Sequence, residues 1–426
     1  MTDEFRKAAL DYHEYPQPGK VAMSLTTSAS SQYDLALAYS PGVAEPVRAI
    51  AEDPQNAYRY TAKGNLVAVI SDGSAILGLG DLGPLASKPV MEGKSLLFKR
   101  FAGIDSVDIE VDVATPEEFI ETVARIANTF GGINLEDIKA PQCFAIEQEL
   151  KQRCSIPVFH DDQHGTAIVT AAGMLNALVL TERDIKDTRF VCMGAGAAAI
   201  TCCNLLLSLG ATKENLLVVD SRGVIHAQRQ GLTPTKQAFA LETNHRTLED
   251  ALEGADVFLG LSGANLLSAE GLTSMAENPI VFACANPDPE IAPSLARQLR
   301  PDVILATGRS DYVNQVNNVL CFPFIFRGAL DVRASDINHA MKVAAVKAIA
   351  AIAHQPVLQE VLDAYGLESL AFGSEYIIPK PTDPRLLSDV AAAVAQAAID
   401  SGVAGKPYPE HYPLTSVQDI FPAANR

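Results

Sequence analysis

Between residues 189 and 307 the sequence keeps one rhythm: short apolar, β-branched runs alternate with helix-forming stretches. The runs are 189–193, 216–219, 257–261, 280–284 and 303–306. They lead into Gly194, Asp220, Ser262-Gly263, Asn286-Pro287 and Thr307-Gly308 respectively. Strands linked by helices have connections long enough to cross over and pair in parallel, and the helices then cover both faces of the sheet. The pattern therefore predicts an α/β fold with a doubly wound, mostly parallel Rossmann-type sheet. In such sheets ligands bind just past the carboxyl ends of the strands, so functional residues are expected there.

Upstream, the rhythm is less regular. Leu66 to Ile70 reads as a strand, and Ile76 to Leu79 as a strand-like run after the turn Ser71-Asp72-Gly73-Ser74. Ser106 to Val111 alternates as a strand does, and a helix follows over 116–129. Thr166 to Leu180 reads as an apolar helix, and further helices are expected over 335–354 and 384–401. The segment from Lys406 is rich in Pro and Tyr and reads as an irregular tail. The division expected is a first domain over 1–160, a second domain with the Rossmann-type sheet over 161–390 and a C-terminal tail over 391–426.

One turn carries a specific ligand signal. Gly194-Ala195-Gly196-Ala197-Ala198-Ala199 lies directly between a strand and a helix and has the form GxGxxA. Its first glycine permits the tight turn, and its second lets a pyrophosphate approach the backbone. Ala199 lets the helix pack closely, and the helix N-terminus offers unsatisfied N–H groups to phosphate. Asp220 closes the next strand, where a ribose-binding acid belongs. Asp220 favours NAD, whereas Arg222 can accept a 2′-phosphate; the residues do not decide between the two cofactors, and Arg222 tips the expectation towards NADP. Gly78-Leu79-Gly80-Asp81-Leu82-Gly83 also matches GxGxxG, but Pro84 follows and no strand-ending acid lies at the right distance. It reads as a backbone-permissive loop near the site.

Composition narrows the partners. Asp and Glu number 51 against 33 Lys and Arg, a net charge of −18, which repels nucleic acid and anionic membranes. No apolar run approaches the ~18 residues of a spanning helix, and the charged start does not read as a signal peptide. The 7 cysteines are scattered without a CxxC, which suits reduced thiols in the cytoplasm.

Two acidic pairs, Glu136-Asp137 and Asp161-Asp162, each follow apolar strand-like residues. Carboxylates gathered away from bulk water repel one another, and a divalent cation resolves the repulsion; oxygen ligands suit Mg²⁺ or Mn²⁺. The alternative is a pair of solvated turns. His160 and His164 have the spacing of a zinc pair but lack further His or Cys support, and read as capping or hydrogen-bonding residues.

At these residues the chain resembles the malic enzyme family in its short bacterial form. The resemblance rests on Ala38-Tyr39-Ser40-Pro41-Gly42-Val43-Ala44, residues 76–83, Lys88-Pro89-Val90-Met91-Glu92-Gly93-Lys94 and Asn134-Leu135-Glu136-Asp137. It continues through residues 159–167, Ala285-Asn286-Pro287, and Asn317-Asn318 before Cys321-Phe322-Pro323. Some such relatives continue into a phosphotransacetylase-like half, which is not expected here.

The resemblance implies an N-terminal malic-enzyme domain beside the Rossmann-type NAD(P)-binding domain. It implies oxidative decarboxylation of malate to pyruvate, with decarboxylation of oxaloacetate as an accompanying activity, and a homodimer or a multiple of one. It makes Tyr39 the general acid and Lys94 the general base, and gives Glu136, Asp137 and Asp162 to the metal, with Asp161 behind them. Asn286 and either Asn317 or Asn318, with Asn318 preferred, would hold the substrate carboxylates. A lysine acts as a base near neutrality only if its pKa falls from ~10.4 towards 7–8. Larger family members carry a carboxylate-binding arginine where this chain has Ser74-Ala75, so another donor is needed. Rival readings are a hydroxy-acid dehydrogenase that stops at the ketone and a non-catalytic nucleotide-binding regulator. The latter would have lost Tyr39, Lys94 or an acid, and this chain keeps them all.

Overall fold

The alternation resolves into two separate sheets in the computed structural model, which describes residues 2–76 and 78–421. The first is a parallel sheet of β1 (Leu66–Ser71), β2 (Asp105–Glu110), β3 (Gly132–Leu135) and β4 (Val158–His160), in the order β2-β1-β3-β4. The second contains β5 (Phe190–Met193), β6 (Leu216–Asp220), β7 (Gly223–Val224), β8 (Val257–Gly260), β9 (Ile280–Ala283) and β10 (Ile304–Thr307). Its order is β10-β9-β8-β5-β6-β7, parallel except for β7. The central strands are covered on both faces, which is why they read as continuous apolar runs: Val67 to Ile70, and all of β8 and β9, are buried. The two-residue β7 is too short to carry a sequence signal of its own.

Helices then bring the sheets together. The helix Pro84–Ala102 packs on β1 and β2. The helix read as beginning at Thr166 begins at Asp161, directly after β4, and runs to Leu180. It is apolar nearly all round because it packs on both Ala197–Ser208 and His339–Ala353. Its first turn holds Asp161 and Asp162, where the helix dipole favours negative charge. Phe98 stacks edge-to-face on Phe322 and Phe326, with ring centroids 4.8 and 5.3 Å apart, and Phe159 meets Phe326 at 5.8 Å. These rings join the helix over the first sheet to the buried helix Phe322–Asp331.

Two expectations need correction. The run Ile76 to Leu79 is not a strand: Ile76 makes only an isolated bridge to Gly80, and Leu77 lies outside the described residues. Positive φ at Gly78 and Gly80 turns the chain back on itself. The segment from 391 begins not as a tail but inside the helix expected over 384–401. Ala391–Asp400 is a helix that buries Ala391, Val394, Ala395 and Ala398, one stripe at helical spacing. The irregular chain beyond it is pinned by Tyr412, whose hydroxyl donates to Asp331, and by buried Leu414 and Ile420.

At the other end no residue from 2 to 60 is buried, although this stretch includes the helices Asp3–Glu14, Gln32–Ala38 and Ala44–Glu52. Among the described residues no helix is long and apolar enough to cross a membrane.

Candidate active site

Parallel register places the acidic pairs together. Leu135 of β3 pairs with His160 of β4, so the residues that follow, Glu136 and Asp161, leave adjacent strands at the same level. Glu136, Asp137 and Asp162 each offer a carboxylate oxygen, all within 4.8 Å of one another. Asp137 adopts φ 54° and is fixed on both sides: its N–H donates to Asp162 Oδ2 at 2.8 Å, and its carbonyl accepts from the Ala75 N–H at 2.9 Å. A non-glycine residue in the left-handed region is held there by its surroundings.

Lys94 reaches this cluster from the helix Pro84–Ala102. Its ammonium donates to Asp161 Oδ2 and lies 3.0 Å from Glu136 Oε1, over the face of Phe322. Burial disfavours the ammonium, but Asp161, Glu136 and Asp162 together outweigh burial and hold its pKa above the ordinary lysine value. The fall expected of a base is therefore not produced by the acids; it needs their charge to be countered. Burial, with the repulsion of Asp162, pushes Glu136 well above the usual carboxylate range, and burial also raises Asp161. Such a set of oxygen donors fits a divalent cation.

The cluster lines one side of a cavity of about 850 Å³. The other side is built from residues just past β5, β8, β9 and β10: Ala197, Ala198, Ser262, Asn286 and Gly308. Gly194, at φ 130°, makes the turn out of β5; a Cβ there would lie 2.6 Å from the Leu261 carbonyl oxygen. Gly196 caps the following helix, and a Cβ on it would meet nothing within 4 Å among the described residues, so the backbone is open to a ligand. Gly78 of the other glycine loop also lines the cavity, and its missing Cβ makes room for the Asn286 carbonyl.

Asp220 closes β6 but is already engaged. Arg229 donates to both its oxygens at 2.9 and 2.8 Å, Lys236 donates at 2.8 Å, and the Arg222 N–H at 2.9 Å. Burial opposes its charge, yet Lys236, the Arg222 amide and Arg229 hold its carboxyl below the usual range.

With this geometry in view, the comparisons with known proteins are direct. The family described as Malic enzyme, N-terminal domain matches residues 18–151, and that described as Malic enzyme, NAD binding domain matches residues 163–364. The chain belongs to the malic enzyme family. An NADP-dependent malic enzyme of Halomonas elongata is 66% identical over 99% of this chain and 100% of its own length. One from Escherichia coli is 60% identical over 96% of this chain, which spans 54% of that relative's length. The crystal structure of malic enzyme from Pyrococcus horikoshii superposes with a TM-score of 0.86 at 44% identity, covering 95% of this chain and 92% of that one.

Against this malic-enzyme frame, the structure gathers most of the residues singled out in the sequence. Lys94, Glu136, Asp137, Asp162, Ala197, Ala198, Asn286, Asn317 and Asn318 all line the cavity, with Asp161 buried behind Lys94. Gly194, Ala195 and Gly196 form the turn beside it. Asn318 uses its amide within the protein, donating to Asp161 Oδ2 at 3.1 Å and accepting from Thr166 Oγ1 at 3.0 Å. Asn317 caps Val319 with Oδ1, and its amide nitrogen has no hydrogen-bond partner among the described residues. His164 turns away from His160 to Glu147, at 2.8 Å, and so makes a hydrogen bond as the sequence suggested.

Tyr39, Asp220 and Arg222 do not line the cavity, and Tyr39 stands furthest from expectation. It ends the helix Gln32–Ala38 and is 77% exposed. Arg222 is also exposed, near the end of β6.

Three residues of the site were missed in the sequence. Glu290 is fully buried and accepts from the N–H groups of Ser262 and Ala285, tying together the loops after β8 and β9. Lys20 and Lys139 bring further cations to the cavity wall. Lys139 pairs with Asp81, whereas the Lys20 ammonium donates to the Pro89 carbonyl and forms no ion pair among the described residues. The position of Lys139, two residues beyond Asp137, was the one signal available for it.

Gly165 tests how tightly this arrangement is held, because a Cβ there would lie 1.9 Å from Asp161 Oδ1. Gly165→Ala should destabilise the protein by about 1–3 kcal/mol, as overpacking does, measured by urea unfolding. In an Asp161→Ala background the same change should be neutral or stabilising, since alanine is the better helix former. Equal effects in both backgrounds would show that Asp161 is not the obstacle.

Proposed function

We propose that this chain oxidatively decarboxylates malate to pyruvate and CO₂, reduces NAD(P)⁺ and depends on a divalent metal. The observation that carries the reading is that Lys94 and the three-carboxylate cluster share one cavity with the dinucleotide turn after β5. Glu136, Asp137 and Asp162 would hold Mg²⁺ or Mn²⁺. When bound, the cation polarises the C2 oxygen of malate and the cofactor accepts the C2 hydride.

The protein's own part is positioning and proton transfer. Asp161 and Glu136 aim the Lys94 amine, which takes the C2 hydroxyl proton once the charge of the acids is countered. Loss of CO₂ from the β-keto acid leaves an enolate, and Tyr39 protonates its C3. Asn286 and Asn317 are placed to donate to substrate carboxylates, the open amide nitrogen of Asn317 favouring it over Asn318. Lys20, a cation on the same wall with no ion pair among the described residues, suits the work of the arginine that Ser74-Ala75 replaces.

The exposure of Tyr39 supports a homodimer. Tyr33, Leu35, Leu37 and Val47 around it are exposed as well, and so large an apolar surface is normally covered. A second copy seated there would bring Tyr39 to its neighbour's cavity. For the cofactor, the charge of Asp220 is already answered by Arg229 and Lys236, and Arg222 stands beside them. That supports NADP⁺ over NAD⁺, because the usual repulsion of a 2′-phosphate is offset. The cysteines are all free, which suits the cytoplasm.

The deciding assay supplies malate, NADP⁺ and Mn²⁺ and follows both products. Pyruvate and NADPH should appear in equal amounts, vanish on exhaustive chelation and return with Mg²⁺ or Mn²⁺. Oxaloacetate accumulating without pyruvate would point to a simple dehydrogenase. Mixing and reassociating inactive Tyr39→Phe and Lys94→Ala subunits should restore activity to about a quarter of wild type, the share of intact sites in a random mixture of dimers. No recovery despite proven exchange would place both residues within one subunit's site. Lys236→Ala or Arg222→Ala should weaken NADP⁺ binding by about 1–3 kcal/mol and leave NAD⁺ unchanged. Equal losses for both cofactors would mean that these cations only hold Asp220.

A further inference from the structure

A second cavity, of about 330 Å³, lies on the opposite face of the helix Asp161–Leu180 from the acidic cluster. Asp162 and Thr166 face the catalytic cavity, whereas Gln163, His164, Ala167 and Ile168 face this one. At about 100° per residue these two sets point in opposite directions. Neighbouring walls come from the helices Ala197–Ser208 and His339–Ala353, through Thr201 and Lys342.

Its chemistry is one-sided. Although the chain carries a net charge of −18, no acidic residue lines this cavity among the described residues. Gln163 is 2% exposed and its Nε2 has no hydrogen-bond partner among the described residues, an expensive condition for a buried donor. The Lys342 ammonium donates to His164 Nδ1 at 3.1 Å and forms no ion pair with a carboxylate among the described residues. Lysine has no acceptor, so His164 must carry its proton on Nε2, which it donates to Glu147 at 2.8 Å. Glu147 also lies 3.6 Å from Lys151, so its charge is satisfied on the far side of the imidazole. Burial lowers the Lys342 pKa to about 8, and an anion beside it would relieve that penalty. Phe144, Ile168, Ile200 and Leu205 make the rest of the wall apolar.

We infer that this cavity is a second small-molecule site, which binds a small carboxylate with a hydrocarbon end and is coupled to the catalytic cavity. The carboxylate would take Lys342 and the open Gln163 amide, and the hydrocarbon would lie against Ile168 and Ile200. Coupling follows from position: Gln163 adjoins Asp162, and Thr201 rides on the helix capped by Gly196. Coupling between two sites is reciprocal, so it can be read from the new site itself.

The test uses 4,4,4-trifluorobutyrate followed by ¹⁹F NMR on the full chain. Wild type should show saturable binding, at least tenfold weaker in Lys342→Met and absent in Thr201→Phe, which fills the cavity from another helix. Thermal unfolding checks each fold, and Thr201→Phe decides if Lys342→Met does not fold. With Mg²⁺, oxalate and NADP⁺ added, the probe should still bind, its Kd shifted at least threefold to a plateau. No saturable binding, or binding indifferent to Thr201→Phe, overturns the site. Displacement that grows without limit as oxalate rises would place the probe in the catalytic cavity and also overturn it. A Kd unchanged by the added ligands overturns the coupling.

Discussion

One ammonium buried among carboxylates organises this molecule. Lys94 meets Asp161 and Glu136 directly, with Asp162 close behind and Asp137 beside them. A buried charge is tolerated only when paired, and removing either member of such a pair leaves the other uncompensated. Here the acids outnumber the ammonium, so pairing is incomplete and the raised pKa of Glu136 records the excess. The same excess holds Lys94 in its charged form. A divalent cation would answer both conditions at once, restoring the carboxylates to full charge and freeing the lysine to act as a base.

The strand frame explains why so much of this was legible. Glu136-Asp137 and Asp161-Asp162 could be read because each pair follows an apolar run, and parallel register then brings the two runs level. Gly194 and Gly196 could be read because a tight turn between strand and helix needs them there. Lys94 had no such signal. It lies within an ordinary helix, and only tertiary packing carries it to Asp161; without the family resemblance it would have passed as a surface lysine. Glu290 was hidden for a related reason, since an acid in a turn-rich stretch looks solvated until the loops it joins are seen together.

Asp220 shows a different limit. The sequence correctly placed an acid at the end of β6, but the meaning of that acid depends on Arg229 and Lys236. Those cations return to it through β7, whose two residues leave no periodicity to read. A free carboxylate there would repel a phosphate, whereas one already holding two cations presents nearly the opposite field. The N-terminal stretch fails for yet another reason. Residues 2–60 carry helix caps and apolar side chains that a sequence reads as ordinary folded structure, yet none of them is buried within the chain. Apolar side chains that their own chain leaves open cannot be told from core residues by one sequence's pattern.

The helix Asp161–Leu180 links these parts mechanically. Its first turn supplies Asp161 and Asp162, and its body is the shared core element beneath Ala197–Ser208 and His339–Ala353. Gly165 lets Asp161 lie against the helix, and Asn318 holds that carboxylate from the far side of the chain. Because interiors are close-packed, such a helix cannot shift or rotate by a few tenths of an ångström on one face alone. Any displacement that alters the Lys94–Asp161 contact must also alter the surroundings of Gln163 and His164 on the opposite face. Lys94, the turn that carries Asp161 and Asp162, and the helix after Gly196 are thus tied to one rigid element, which is how residues distant in sequence come to border a single cavity.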